Sequence, residues 1–525
     1  MSTTTPPARD RVGERAGQRG DHGSEGAAGR AAPSPATPEA QLSSWIVRFE
    51  AASLPERASL VARRVLLAVC GTGVAAAAED GIEALRRWHL SRGGAAQAHT
   101  LVFGDALPAT AAAQINGTMC RALDFCDAMA PGPHFGSAVF PAALAAAELA
   151  AGEAGVSGGR GGPSGAEFLA AVAVGCEVGA RFNLTESQYD GFDPTGVAAV
   201  FAATATAARL LRLTERQVQH ALGLAFNRCG GSFQSNVDGS LGVRLVQGWV
   251  AAAGVECAEL ARAGLTGPTH FIGGVYGYAH LFGRGRLDPA SVTAGLGEQW
   301  RLEAMMFKPY PSCGATQGLT ALVLQAAREL DIESGGADGA GLAGSAGAAG
   351  SKAAALVESV TVRLNPYCHR LVGQPFGRGA NPRVDAQFSA QYCAANALGR
   401  GSSKLAHFTP EAVADAAVQA LIGRVQVIAD PALDARGHTA VDVAVVLRDG
   451  RRRELSLDIA PGFPGNPLSE AEHQRRFDDC MAYAPWPLRG DEARAVREGI
   501  DRLAQVDDAL ALWRPLFACM PRERD

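Results

Sequence analysis

Alanine at helical spacing, punctuated by glycine, recurs from about residue 53 to about residue 305, and this pattern most restricts how the chain can fold. It is clearest in PAALAAAELA (141–150), AEFLAAVAVGCEVGARF (166–182) and TGVAAVFAATATAARLL (195–211). Alanine favours the helix more than any other residue, and its small side chain lets neighbouring helices approach closely. The pattern therefore predicts a compact all-α domain. Helical signals begin near Gln41, and Ser53-Leu-Pro-Glu56 reads as a capping box ahead of RASLVARRVLLAV.

Beyond residue 305 the pattern changes. ESVTVRLN (358–365) alternates like a strand, and VDVAVVLRDGRRRELSLDI (441–459) reads as a hairpin. Val441, Val443, Val445 and Leu447 share one face, Asp449-Gly450 makes the turn, and Leu455, Leu457 and Ile459 return. A chain of 525 residues exceeds one ordinary core. The expected division is a disordered tail over 1–40, an all-α domain from 41–304 and 463–525, and an α+β domain over 305–462. The tail has too few apolar residues to offset its ordering entropy. GEAGVSGGRGGPSG (152–165) is expected to be a flexible inter-helix loop, and the Gly/Ala-rich stretch 334–352 a mobile insertion. The helix beginning SEAEHQRRF returns to the first domain.

Hydrophobic residues at 47% and charged residues at 19% suit a soluble enzyme, and a net charge of -5 attracts neither nucleic acid nor an anionic membrane. No apolar run approaches the ~20 residues a membrane span requires, and no hydrophobic signal core stands at the N-terminus. The eleven cysteines form no CxxC pair and no zinc spacing. A reduced, cytoplasmic protein without metal or cofactor is expected.

Five segments carry groups suited to chemistry. In RALDFCDAMAPGPHFGS (121–137), Asp124 and Asp127 stand three apart, on one helical face if the helix continues that far. Pro131 and Pro133 then stiffen the chain before His134, and Ser137 is placed to cap a helix starting near Pro141. A carboxylate beside the imidazole would raise its pKa and orient it for acid–base work. From spacing alone, two helix caps and a satisfied loop histidine are the better reading. In EAMMFKPYPSCGATQG (303–318), prolines hold Lys308 near the start of a helix at about Thr316, a setting for a carboxylate. Cys313, with no helper histidine nearby, reads as a buried inert thiol. In QYDGFDPTG (188–196), Asp193 or Thr195 precedes a long helix and suits a cap. Arg244 opens another helical run, and Tyr367 and His369 follow a strand.

In this order the segments resemble the MmgE/PrpD family. NGTMCRALDFCDAMAPGPHFGSAVFPAALAAAE resembles the family's NG…LDFDD…HPGS…PAALA signature, YDGFDPTG its GxHPTG element, LARAGLTGP its LAxxGxTGP element, FKPYPSCGATQG its KPYPxC…H element and VDAQFSAQY its AQFSxxY segment. The resemblance implies a mainly α fold with a large helical domain and a smaller α+β lid, and a homodimer. It also implies a cofactor-independent enzyme that moves a proton next to a carboxylate on a small acid, in a cleft between domain and lid. By position it assigns catalytic roles to Asp124, His134, Lys308 and Tyr367, with substrate contacts from Asp193, Arg244 and Gln317.

The chain departs from the family pattern in several places. Cys126 stands for the second acid of LDFDD and Ala128 for the following threonine. Asp193 replaces a histidine, Val243 occupies a lysine position with Arg244 adjacent, and Gln317 replaces a histidine. An acid at 193 repels a tricarboxylate unless it is protonated or paired with Arg244, so the expected substrate has fewer carboxylates or an amino group. The leading expectation is a dehydratase-type lyase. Epimerisation, decarboxylation and a non-catalytic binding subunit are the alternatives, and His134→Ala separates the last from an enzyme.

Overall fold

The structure is a computed structural model that describes residues 36–156, 161–332, 352–379 and 381–521. The expected disordered tail up to residue 35, the insert up to residue 351 and the centre of the 152–165 loop lie outside the described residues. The fold is mainly α. Its main helices in the first half of the chain are Pro38–Arg48, Glu56–Ala75, Ile82–Arg92, Ala109–Arg121, Gly136–Val156, Gly165–Phe182, Pro194–Leu210, Glu215–Phe226 and Gly242–Arg262.

Several helix starts follow from local side chains. Thr37 accepts a hydrogen bond from Ala40 N, and Ser164 with Glu167 and Thr214 with Gln217 form reciprocal capping boxes. Helix therefore begins at Pro38, three residues earlier than the apolar pattern indicates. The box expected at Ser53–Glu56 does not form. Pro55 occupies the cap position and has no side-chain acceptor, while Glu56 instead takes a 2.6 Å hydrogen bond from Arg63.

Glu56–Ala75 is the one helix among the described residues that is long and apolar enough to cross a membrane by length and composition, although Arg57, Arg63 and Arg64 interrupt its apolar residues. Here it is a mostly buried core helix. Gly71 faces Phe477 and Cys480 of the helix Glu470–Tyr483, so the late helix does pack on the early ones. Aromatic side chains fill the spaces that alanine leaves: the rings of Phe182 and Phe201 stack 3.9 Å apart, and Trp513 meets Phe140 and Phe168. Each such buried ring contributes about 2–3 kcal/mol of apolar transfer free energy.

Two short ladders join β1 (Ala98–His99) to β2 (Ala106–Leu107) and β3 (Asp127–Ala128) to β4 (Met306–Phe307). A second hydrophobic core surrounds a four-stranded sheet of order β6-β5-β7-β8, where β5 is Val357–Leu364, β6 Val425–Ala429, β7 Val441–Leu447 and β8 Arg452–Leu457. β5 and β6 run parallel and the other pairs antiparallel. The hairpin pairs Val441 with Leu457 and Val443 with Leu455, and the alternate residues Val441, Val443, Val445 and Leu447 are buried. The helices Gln317–Glu329 and Ala390–Arg400 pack on this sheet and on each other.

The β3–β4 ladder places the site. It aligns Asp127 with Phe307, which brings the loop after Arg121 beside Lys308. Gln387 clamps the junction by donating to the carbonyls of Leu123 (2.7 Å) and Pro311 (3.0 Å). Arg476 does the same from another side, donating to the carbonyls of Lys308 (2.6 Å) and Phe125 (2.7 Å).

Candidate functional site

Asp124 and Asp127 do not share a helical face. The helix Ala109–Arg121 stops before them, and Asp124 sits in the left-handed region at φ 50°. This turn aims the carboxyl back towards the helix end. Asp124 Oδ1 lies 2.6 Å from Arg121 Nη1 and 2.8 Å from Lys308 Nζ, and the lysine also donates to the Asp124 carbonyl at 3.2 Å. All three side chains are buried. Burial pushes the Asp124 carboxyl up, but the two cations outweigh it and hold the group below the usual carboxylate range. The triad carries one net positive charge, and two of the three Lys308 ammonium donors are used within it.

His134 is held differently from the sequence expectation. Its Nδ1 lies 2.6 Å from the carbonyl of Asp127, so Nδ1 carries the proton and Nε2 keeps its lone pair. Its backbone N–H donates to Thr195 Oγ1 at 3.0 Å. Burial, helped by the charges of Arg121 and Lys308, drives the imidazole pKa well below the ordinary histidine value. Asp124 is therefore not the group that orients the ring, and the net shift is downward. Near neutral pH the side chain is an uncharged base.

Asp127 takes the capping role that the sequence offered to Ser137. Its Oδ2 accepts from the N–H groups of Phe135 (3.1 Å) and Gly136 (3.0 Å), and the helix begins at Gly136 with Pro141 inside it. Ser137 instead donates to Gln247 at 2.9 Å. Cys126 Sγ lies 3.4 Å from His134 Nδ1, and burial pushes its thiol up to about 12.

Asp124, His134, Lys308, Tyr367 and Asp193 line one cavity of about 260 Å³. Asp193 caps the helix Pro194–Leu210 by accepting from Thr195 N (2.8 Å) and Gly196 N (3.1 Å), while burial pushes its carboxyl up. Tyr367 follows β5 on the helix Pro366–Val372, its ring 5.2 Å from that of His438, and burial raises its phenol pKa.

Arg244 and Gln317 are not among the residues lining this cavity. Arg244 donates to the Asp80 carbonyl at 3.0 Å and lies 4.0 Å from Glu79, so it does not pair with Asp193. Gln317 bonds the backbone of Tyr310, Ser312 and Cys313 and fixes the shape of the KPYP turn.

Sequence reasoning passed over Arg121, Glu186 and His438, all of which line the cavity. Arg121 had a readable signal, since it precedes Asp124 by three residues. Glu186 and His438 had none. They meet at 3.5 Å only because distant segments converge. Cys313 also lines the cavity, with its thiol pushed up to about 11 by burial. Among the described residues no group of three or more His, Cys, Asp or Glu side chains is placed to hold a metal ion. The arrangement provides a neutral base beside two cations able to receive a carboxylate.

Comparison with known sequences agrees with the motif order. The MmgE/PrpD N-terminal domain model matches residues 40–289 and the C-terminal domain model residues 310–498. The chain is 26% identical over 380 residues to the cis-aconitate decarboxylase-like protein oryM of Aspergillus oryzae, covering 70% of this chain and 74% of that protein. It is 24% identical to the cis-aconitate decarboxylase of Mus musculus (78% and 79% covered) and 23% identical to that of Homo sapiens (79% and 81% covered).

Proposed function

The chain belongs to the MmgE/PrpD family, and from that premise we propose that it is a lyase acting next to the carboxylate of a small organic acid, with His134 as the base. The observation that carries this reading is the His134 ring. Its Nδ1 is committed to a carbonyl, leaving Nε2 as a neutral base on the same cavity as Arg121 and Lys308. The substrate carboxylate binds these two cations, whose net charge is already half balanced by Asp124. Nε2 takes the proton from the adjacent carbon. The developing negative charge spreads into the held carboxylate, where preorganised donors are worth about 3 kcal/mol each.

For dehydration, the β-hydroxyl must leave with a proton. Tyr367 supplies it, because burial keeps its phenol protonated far above neutral pH. The electron pair of the broken C–H bond forms the new double bond, and water departs. The part of the chain around the four-stranded sheet brings Tyr367 and acts as a lid. A homodimer working in the cytoplasm without a cofactor belongs to the same proposal.

The activity named for the three relatives favours a second reading, in which carbon dioxide leaves and a protonated side chain quenches the carbanion. Assaying water loss by alkene absorbance and carbon dioxide by gas evolution over a panel of hydroxy and unsaturated acids separates the two. Turnover of neither kind in the wild type, under conditions where the acids bind, rejects lyase chemistry.

A further inference from the structure

Among the described residues, one arginine, one lysine and three carboxyl side chains line the cavity. The cations, Arg121 and Lys308, are both bound to one oxygen of Asp124, leaving a single net positive charge there. Asp193 brings an acid that is satisfied by backbone amides and has no cation of its own within salt-bridge reach. Glu186 adds another, with His438 at 3.5 Å as its partner. Most of the remaining wall is apolar, including Met129, Phe192, Val243, Met306 and Phe388.

One carboxylate matches the charge available. A second or third would give up its water against apolar side chains or against Asp193 and Glu186, with no cation to replace the lost hydration. An alkyl body, by contrast, gains from contact with that wall. We infer that the site takes a monocarboxylate with a short apolar body and discriminates against tricarboxylates, with Glu186 and Asp193 setting that preference. This rests on the reading of Arg121 and Lys308 as the carboxylate anchor.

Titration calorimetry on the full chain with β-hydroxyhexanoate, citrate and cis-aconitate tests it. The monocarboxylate is expected to bind at least about tenfold tighter than either tricarboxylate, a difference well within the reach of calorimetry. Glu186→Gln is expected to narrow the gap by strengthening citrate binding. Equal or tighter binding of citrate by the wild type overturns the substrate class and leaves the proton-transfer reading standing. No binding by any of the three overturns both. A gap that Glu186→Gln leaves unchanged overturns the role given to Glu186.

Discussion

Replacing His134 with Gln keeps a polar side chain of similar reach and removes the basic nitrogen. The expected result is a fall in kcat of about a hundredfold to ten-thousandfold, the usual worth of a positioned base, with the far-ultraviolet dichroism unchanged. Asp124→Asn tests the ion triad. Asparagine tolerates the left-handed backbone at φ 50°, so the change isolates the charge. It leaves Arg121 and Lys308 buried without a counter-ion, and stability measured by urea unfolding should fall by about 3–5 kcal/mol. At this scale the sequence picked out residues that the structure brings to one cavity, Asp124, His134, Lys308, Tyr367 and Asp193, but not how each is held there. Rigid prolines around His134 and Lys308 marked both as held in place. That a carbonyl orients the imidazole, while Asp124 serves the lysine, depends on a single left-handed residue that no spacing reveals. Arg244 looked like the spare cation because it sits beside Val243, but the helix turns it towards Asp80 and Glu79.

The helices Ala109–Arg121 and Gly242–Arg262 cross closely enough that an added Cβ at Gly248 would run into the Gln114 carbonyl and the Thr118 hydroxyl. Gly248→Ala should force them apart at a cost of roughly 1–3 kcal/mol. It should also weaken carboxylate binding, because these two helices carry Arg121, Val243 and Gln247 to the same cavity; calorimetry and urea unfolding read the two effects. The Glu470–Tyr483 helix is tied to the site by Arg476 alone among its arginines. Arg476→Lys cannot span both carbonyls with a single ammonium, and a loss of about 2 kcal/mol is expected from thermal unfolding. Strand alternation in 441–457 and the alanine-rich helices were legible because their periods run over many residues. The β3–β4 ladder was not, since two residues have no period, and Arg476 reaches a carbonyl 168 positions earlier in the chain.

Across the whole molecule, acid should act through two buried histidines, His134 and His473, and the half-buried His407. Burial pushes His407 and His473 down to about 3, and His134 well below its usual value. In the unfolded chain each takes a proton near pH ~6.5. Their contribution is therefore fully present above that pH and is lost as pH falls towards the folded values, by up to about 1.4 kcal/mol per unit for each group. His473 is the cleanest test, because both ring nitrogens lack a hydrogen-bond partner and the ring packs edge-on to Phe307. His473→Leu should flatten the pH 4–6 slope of urea stability by about that amount without altering turnover. The mainly α character could be read from the sequence, but the convergence of Glu186 and His438 could not, because it comes from the packing of distant segments.

Proton exchange in heavy water bears most directly on the central claim. With a panel of hydroxy and unsaturated carboxylates, proton NMR should show the wild type replacing hydrogen by deuterium at the carbon next to the carboxylate of at least one acid. His134→Gln should reduce that exchange to the rate without enzyme. Exchange at equal rates in both proteins would contradict the assignment of His134 as the base.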